Sequence, residues 1–597
     1  MTMTLIGVTS ELRDFWFLPQ TRRNWFNCNP SFDELISLKY RESFDIFITI
    51  EPSILSEMYK SGTIDIVGTI ILLDQVPRHC ARSENRVQID VVEKATRKAA
   101  ELSKYLHSRN LLEHFSQDRL CFVLMPLRHT REMNDIDIVL GYVRDSSHAK
   151  TPTPVFKRFM KASFEQAGRM KNNSLVCARD TDFGVGKGTQ SITINDFLEF
   201  EDVIDEECIQ CKFYNRWYDI DTTLKFLVST SLFKSFEERI AFLPRDSDVT
   251  ISLSGGVDSM LVLLLTKALV EKNRFDNSGH STRAREITVV SINYNNRTTS
   301  AKESEFVRKW CTMVGVKHCF IRSITELQRE MFQVRDRDLY EAVTKSIRMD
   351  MYSLLGNPVL IGHNRDDVFE NIVTNIKQGI HFDNLEGMDE DLQVLSNGVQ
   401  ILRPLLSISK DDIIKTAHEI GMPYLYNSTP TWSERGKIRE HLILPIRNYS
   451  TDFEEGLHTI AKTTKTLMRQ LERCVIDPFI DSCLLGEDGD FPSFSMPVSE
   501  DHLEFDTNMW KIIIHRMFDK LRSSCVKSQA HSQLCYSVSN KSIVLFADKL
   551  KTICCSEKAS CKQKFILNSS FTACIKKDQA PDDHQSISVE VKPTIYV

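Results

Sequence analysis

Residues 254–259 read Ser-Gly-Gly-Val-Asp-Ser, set between the apolar runs "DVTISL" and "MLVLLLTKALV". Two glycines, two hydroxyls and a carboxylate contribute little to packing. They suit a tight strand-to-helix turn whose backbone must come close to a ligand, because glycine tolerates positive φ and carries no Cβ. The first amides of the following helix have no intrahelical acceptor and attract anions. Ser254, Gly255, Gly256, Val257, Asp258 and Ser259 are therefore a candidate phosphate cradle. A Walker loop would be longer and end in Gly-Lys-Ser/Thr, which is absent here. Asp258 would repel a bare phosphate. It fits either as a helix cap or as the ligand of a Mg²⁺ ion lying between carboxylate and phosphate. The plain alternative is a Ser-Gly-Gly turn with an Asp cap.

A second group follows in "GHNRDDVFENIVTNI", which starts at Gly362. On a helix Asp367 and Glu370 are i,i+3 neighbours with Asn371 at i+4, so the three share a face. His363 and Asp366 fall at the strand-to-helix transition. The competing interpretation is a solvated acidic helix start that suits the macrodipole. Arg297, Arg403, Arg435, Lys437 and Arg439 are candidate phosphate or RNA contacts, with surface solvation as their alternative.

These residues need a scaffold, and the pattern supplies one. From about residue 247 short β-rich runs alternate with helical ones: "DVTISLS", "EITVVSINY", "KHCFIRS" and "PVLIG", each followed by a helical stretch. Such alternation predicts an α/β fold with a parallel sheet covered on both faces, and ligands at the carboxyl ends of its strands. Residues 1–170 carry helical periodicity and predict an all-α domain. Residues 171–245 are more polar and read as a linker or adaptor. The α/β segment spans 246–448. Residues 449–597 predict a mixed C-terminal domain, with 576–597 as a mobile tail.

At 597 residues the chain is too long for one core, and about three or four domains are expected. A 42% hydrophobic, 26% charged composition is that of a globular protein. No apolar run reaches the about 18 residues of a membrane span, and the N-terminus lacks the features of a secretory signal. Sixteen cysteines without such a signal read as reduced thiols in a cytoplasmic setting. Cys208–Cys211 and the group Cys554, Cys555, Cys561 have no second Cys-x-x-Cys at zinc-ribbon spacing. A net charge of −6 leaves any nucleic acid to be held by local basic patches.

The loop "SGGVDS" resembles that of the N-type ATP pyrophosphatases, which cleave ATP to AMP and pyrophosphate. Within that group, residues 247–448 are similar to the tRNA(Ile)-lysidine synthetases and the two-thiocytidine tRNA enzymes. The block from Gly362 resembles the family's Gly-His-x-x-Asp-Asp-x-x-Glu. "INYNNRTTS" resembles its His-Gly-Leu-Arg segment at Arg297 and departs at Asn293, Tyr294 and Asn295. "AVTKSIRMDMY" resembles its Ala-Arg-x-x-Arg-Tyr helix, through Arg348 and Tyr352. "NLEGM" and "RPLLSISKDDI" resemble elements near the reaction site. "STPTWSERGKIREHLILP" keeps the arginine spacing at Arg435 and Arg439 but departs at "WSERGK".

The resemblance implies an adenine nucleotide alpha hydrolase-like fold and ATP and Mg²⁺ as cofactors. It also implies adenylation of a tRNA base, the wobble cytidine, followed by attack of an amine, lysine in the synthetases. ATP would lie on residues 254–259 and His363, and the metal on Asp258. Asp258, Asp366, Asp367 and Glu370 would be catalytic. The partners implied are tRNA and free lysine or another small amine, with no membrane. A tRNA thiolase on the same fold and a non-catalytic RNA-binding scaffold are the alternatives. Between 255 and 448 the cysteines are Cys311 and Cys319, not a Cys-x-x-Cys pair.

Residues 13–145 resemble a mostly bacterial all-helical, TPR-like family of unknown function, through "RDFWFLPQTRRNWFNCNPSFDELI", "GTIILLDQVPRHCAR" and "FVLMPLRHTRE". Asp74, Gln75, Arg78, Arg128 and His129 lie inside apolar runs there and are expected to form structural polar networks. Position and a mildly basic character make the C-terminal region a candidate tRNA-docking element.

Overall fold

Alternating strands and helices beyond residue 247 fold as a six-stranded sheet, β1 (Val249–Ser252), β2 (Ile287–Asn293), β3 (His318–Ser323), β4 (Val359–Ile361), β5 (Gln393–Val394) and β6 (Gln400–Leu402). The spatial order is β3-β2-β1-β4-β6-β5. Strands β1 to β4 and β6 run parallel, and β5 pairs antiparallel to β6 at one edge. The sheet is thus partly parallel rather than wholly so.

The computed structural model describes residues 5–22, 24–26, 29–83, 88–177, 197, 200, 210–212, 220–244, 247–276, 285–332, 336–379, 384–388, 391–395, 397–426, 434–450, 452–488, 491–524, 538–554, 561–568, 571–579 and 585–593. Cys208, Cys555 and residues 428–433 of the "STPTWSERGK" stretch lie outside them. No described helix is long and apolar enough to cross a membrane.

The chain divides into two units, residues 103–465 and residues 1–102 with 466–597. In the first unit the helices that matter to the crevice are α1 (Pro154–Cys177), α2 (Val257–Asp276), α3 (Ser300–Val314), α4 (Arg337–Leu355), α5 (Arg365–Gln378) and α6 (Lys410–Glu419). The apolar run of α2 is a core helix: Met260 to Leu265 are fully buried. A helix apolar all round must be covered on every side. Helices Ile220–Val228 and Ser231–Ile240, within the stretch expected as linker, supply Leu224, Leu227, Phe233 and Phe236 to the same core as α2.

Helix α1 runs through residue 170, the expected domain boundary, and packs on α4 and edge strand β3. A buried ion pair ties them. Arg322 on β3 meets Glu326, and Arg322 Nε donates to Asn172 Oδ1 of α1 at 2.5 Å. Arg322 is 3% exposed and Glu326 0%. Two charges so enclosed stand only while each keeps its partner.

In the other unit, Asp74, Gln75 and Arg78 do form a polar network, as their burial requires. Gln75 Nε2 donates to Asp74 Oδ2 at 2.5 Å, and Arg78 Nη2 donates to Asp74 Oδ1 at 3.3 Å and Thr96 Oγ1 at 2.8 Å. A neighbouring group joins buried Asp33 and His79 to the exposed Arg82. Within 576–597, expected as a mobile tail, residues 576–579 and 585–593 instead contribute to an antiparallel sheet. Strands Phe571–Gln579 and Gln585–Pro593 pair with each other and with Cys561–Ile566, Phe491–Val498 and Leu484–Asp488 in one five-stranded sheet. Ile587, Val589 and Val591 are buried at period two, and that face packs with Trp510 and Phe518 of helix Thr507–Ser524.

Replacing Glu326 by alanine strands the Arg322 guanidinium in the core. Urea denaturation of the full chain should show a loss of about 3–5 kcal/mol in the unit that contains it.

Candidate functional site

Strand β1 lies between β2 and β4, whose chain connections leave in opposite directions. That is the switch point at which an open α/β sheet leaves a crevice. The loop 253–256 sits there, between β1 and α2. Gly255 has φ +82°, and a Cβ on it would fall 2.7 Å from Leu425 Cδ1. Its carbonyl accepts from Leu425 N at 2.9 Å, which ties the loop to strand Tyr424–Tyr426.

The two serines brace the loop. Ser254 N donates to Ser259 Oγ at 3.1 Å, and Ser259 Oγ donates to Gly256 O at 3.0 Å. Val257, Asp258 and Ser259 open α2, where helix geometry offers their amides no intrahelical acceptor. Gly362, just past β4, touches this turn closely: a Cβ there would lie 2.7 Å from Ser259 N and 2.9 Å from Asp258 C. Only a glycine lets the end of β4 pass the first turn of α2 so tightly.

Asp258 is held from two sides. Its Oδ1 accepts from Asn364 Nδ2 at 2.9 Å and its Oδ2 from Lys410 Nζ at 2.6 Å. Asn364 is the N-cap of α5. Its Oδ1 accepts from the amides of Asp366 (2.9 Å) and Asp367 (3.2 Å), while Asp367 Oδ2 accepts from Asn364 N at 3.1 Å. This reciprocal capping box fixes the acidic block at the crevice.

The carboxylates of α5 face a row of cations. Asp366 accepts from Arg447 Nη2 at 2.6 Å and from Lys410 N at 3.1 Å. Glu370 pairs with Arg439, whose Nη2 also reaches Asp367 Oδ1 at 3.4 Å. Arg435 lies 3.7 Å from Asp367 and 3.9 Å from Glu370. Beside them is a cavity of about 230 Å³ lined by Asn364, Asp366, Glu370, Lys410, Arg439 and Arg447 among others. Glu370 is 2% exposed, and its Oε2 is buried with no hydrogen-bond partner among the described residues. Burial raises its pKa above the ordinary carboxylate value, with Arg439 opposing.

His363 borders the same crevice. Burial, then the charges of Arg435, Arg403 and Arg348, push its pKa down to about 3. The ring is therefore neutral at physiological pH. Its Nδ1 accepts from Arg403 Nε at 3.3 Å, which assigns the proton to Nε2.

On the β2 side, Arg348 of α4 donates to Tyr294 Oη at 3.2 Å. Tyr352, one turn on, hydrogen-bonds Ser252 Oγ at 2.6 Å, at the end of β1. Asn295 adopts φ +50°, the left-handed region, where the resembling segment carries glycine.

The crevice thus gathers Asp258, His363, Asp366, Asp367, Glu370, Arg403, Arg435 and Arg439. Arg297 instead lies 3.7 Å from Glu303 at the start of α3, and Lys437 is exposed with no ion pair among the described residues. Sequence reasoning assigned no role to Asn364, Lys410 or Arg447. Asn364-x-x-Asp367 before an apolar run is a legible capping signal. Lys410, at the head of α6, and Arg447 carry no local mark.

The donor set suits a Mg²⁺-bound nucleotide. Mg²⁺ needs only one or two carboxylates beside the phosphate oxygens and water, and the two glycines leave room for backbone approach. Among the described residues no group of three or more acidic, His or Cys side chains is arranged to hold a metal ion by itself.

Two regions of the chain match known families. Residues 228–445 match the family described as PP-loop domain, and residues 12–171 match that described as bacterial protein of unknown function (DUF924). The tRNA(Ile)-lysidine synthase of Chlamydia muridarum (strain MoPn / Nigg) is 24% identical over 279 residues, which is 45% of this chain and 78% of the relative. That of Wolbachia pipientis wMel is 28% identical over 194 residues, 31% of this chain and 40% of the relative. The solved U34-tRNA thiolase NcsA from Methanococcus maripaludis, with its 4Fe-4S cluster, aligns at a TM-score of 0.30 and 15% identity, over 42% of this chain and 80% of that one. The chain therefore carries a PP-loop domain related to the tRNA(Ile)-lysidine synthases, joined to an N-terminal helical region related to a family of unknown function.

Two outcomes are expected from the crevice itself. Gly362→Ala forces the loop away from β4 and should weaken Mg·ATP binding by about 10-fold or more in calorimetry, with the fold retained in circular dichroism. His363, neutral in the folded chain down to about pH 3, lets the unfolded chain take up a proton that the native chain refuses. Stability should therefore fall as pH drops from about 6.5 toward 3. His363→Gln should remove part of that fall, about 2 kcal/mol at pH 5, in paired denaturation curves.

Proposed function

We propose that residues 246–448 activate a tRNA base with ATP, releasing pyrophosphate, and then join an amine to the activated carbon. The wobble cytidine and lysine are the substrates that the resemblance suggests. The observation that carries this reading is the meeting, at one switch point, of the glycine loop 254–259 with an acidic helix start whose every carboxylate faces a cation.

The first step would form a bond between the exocyclic oxygen of the base and the α-phosphorus, breaking the bond to the pyrophosphate. The amides opening α2 would receive the leaving pyrophosphate. Asp258 would hold Mg²⁺, which when bound neutralises charge on the phosphates. Lys410, now on Asp258, would turn to a phosphate oxygen, and Arg439 and Arg447 are placed to do the same. Neutral His363 offers Nε2–H as a donor to the nucleotide.

In the second step the amine nitrogen attacks the activated carbon and AMP leaves. An ammonium is no nucleophile, so a base must take its proton. Glu370 fits that task best: its pKa is raised by burial, its Oε2 has no hydrogen-bond partner among the described residues, and the residue lines a cavity large enough for an aliphatic amine. Asp366 and Asp367 then serve to hold Arg447 and Arg439. Arg435 and Lys437, exposed at the rim, would meet RNA phosphates.

A thiolase of the same fold would want reactive cysteines at the crevice, but Cys311 and Cys319 are buried in the core between α3 and β3. A scaffold would have no reason to keep a carboxylate as expensive to bury as Glu370.

Incubation of the full chain with γ-labelled ATP, Mg²⁺ and total tRNA, with and without lysine, tests the proposal. Pyrophosphate release should require tRNA, and Asp258→Ala should lower it by about 100-fold or more. Dependence of product formation on lysine would favour the ligase. Pyrophosphate released equally without tRNA, or none at all, would overturn the assignment.

A further inference from the structure

Asparagine is a poor residue for the middle of a helix, and its amide is costly to bury unless every group is bonded. Asn172 sits inside α1 and is 0% exposed. Its side chain is fully used. Nδ2 donates to Ile347 O at 2.9 Å and to Asp350 Oδ2 at 2.9 Å, and Oδ1 accepts from Arg322 Nε at 2.5 Å. Two of these three bonds grip α4 on either side of Arg348. Close approach is provided for on the same helix: a Cβ at Gly168 would meet Ile347 Cγ1 at 2.4 Å.

Arg348 is the group so bracketed. It has no ion pair among the described residues, and its Nε is buried without a hydrogen-bond partner among them. Lys410, Arg435, Arg439 and Arg447 each face a carboxylate. Arg348 is thus a cation of the crevice whose charge no carboxylate of the described residues offsets. An incoming anion would complete it.

We infer that Asn172 is a positioning residue. From the helical region it pins α4 so that the Arg348 guanidinium stays in place to receive a phosphate group. This deepens the proposed function and rests on it. The phosphate belongs either to the nucleotide or to the RNA backbone, and one experiment distinguishes them. It would also explain a functional use for the fused helical region, whose last helix then forms part of the site's support.

The test measures Mg·ATP binding by calorimetry and tRNA binding by filter retention in the full chain. Asn172→Asp keeps the acceptor for Arg322 but loses both donated bonds and faces Asp350 with a second carboxylate. It should weaken one of the two ligands by about 10-fold. Combining it with Asp350→Asn restores a donor between the two positions and should recover binding to within about 3-fold of wild type. In an Arg348→Gln background Asn172→Asp should cost no more than about 2-fold further, since it acts through that arginine. Gly168→Ala, which presses on Ile347, is the second variant should the first not fold, and the same loss and the same dependence on Arg348 are expected.

Loss in the ATP arm assigns Arg348 to the nucleotide, and loss in the tRNA arm assigns it to RNA. Unchanged binding in both arms, or losses that simply add to that of Arg348→Gln, overturn the inference while the proposed function stands. A wild-type chain that binds neither ligand overturns both.

Discussion

A carboxylate at the start of a core helix must be compensated, and Asp258 is compensated by Asn364 and Lys410 together. That requirement organises the crevice. Asn364 can reach Asp258 only because it caps α5, and the cap draws the amides of Asp366 and Asp367 to the same point. Lys410 can reach it only because α6 begins beside α5, where Lys410 N also donates to Asp366. Three helix starts, those of α2, α5 and α6, therefore converge on one anion. Each brings a positive dipole end, which favours the acidic cluster they surround.

Glycine enables that convergence more than any polar residue does. At Gly362 the end of β4 passes the first turn of α2 at a distance that excludes a Cβ. Without that contact Asn364 would be held away from Asp258, and the capping box would support an acidic block with nothing opposite. Farther out, Asn172 and the Arg322–Glu326 pair hold α1 to α4 and β3. Asn172 is satisfied by partners about 150 to 178 residues away in sequence, which fixes α1 against α4 and β3.

What was legible in the sequence was local. The glycine loop, the strand-helix alternation and the acidic block each state their chemistry within about ten residues. Asn295 shows that a departure from a motif can keep its physics, since asparagine tolerates the left-handed backbone that glycine would otherwise supply. Lys410, Arg447 and Asn172 were illegible because their meaning is tertiary: a lysine heading an amphipathic helix looks like any solvated lysine. The C-terminal strands were hidden differently. "SISVEVKP" alternates as a strand should, and Ile587, Val589 and Val591 are buried accordingly, but its Asp- and Gln-rich surroundings resemble a tail.

The same charge pairing bears on how a nucleotide would enter. Asp258, Asp366, Asp367 and Glu370 now neutralise Lys410, Arg435, Arg439 and Arg447. A polyphosphate alone would compete with four carboxylates for those cations and would lose hydrogen bonds already made. Brought in with a divalent cation, it offers both halves of an exchange. On the proposed function, Asp258 would pass from Lys410 to the metal and the released ammonium would pass to a phosphate, so the Asp258–Lys410 pair would exchange partners without leaving either charge alone. A site used in the proposed way would favour the metal complex over the free nucleotide, because only the complex offers both signs of charge at once.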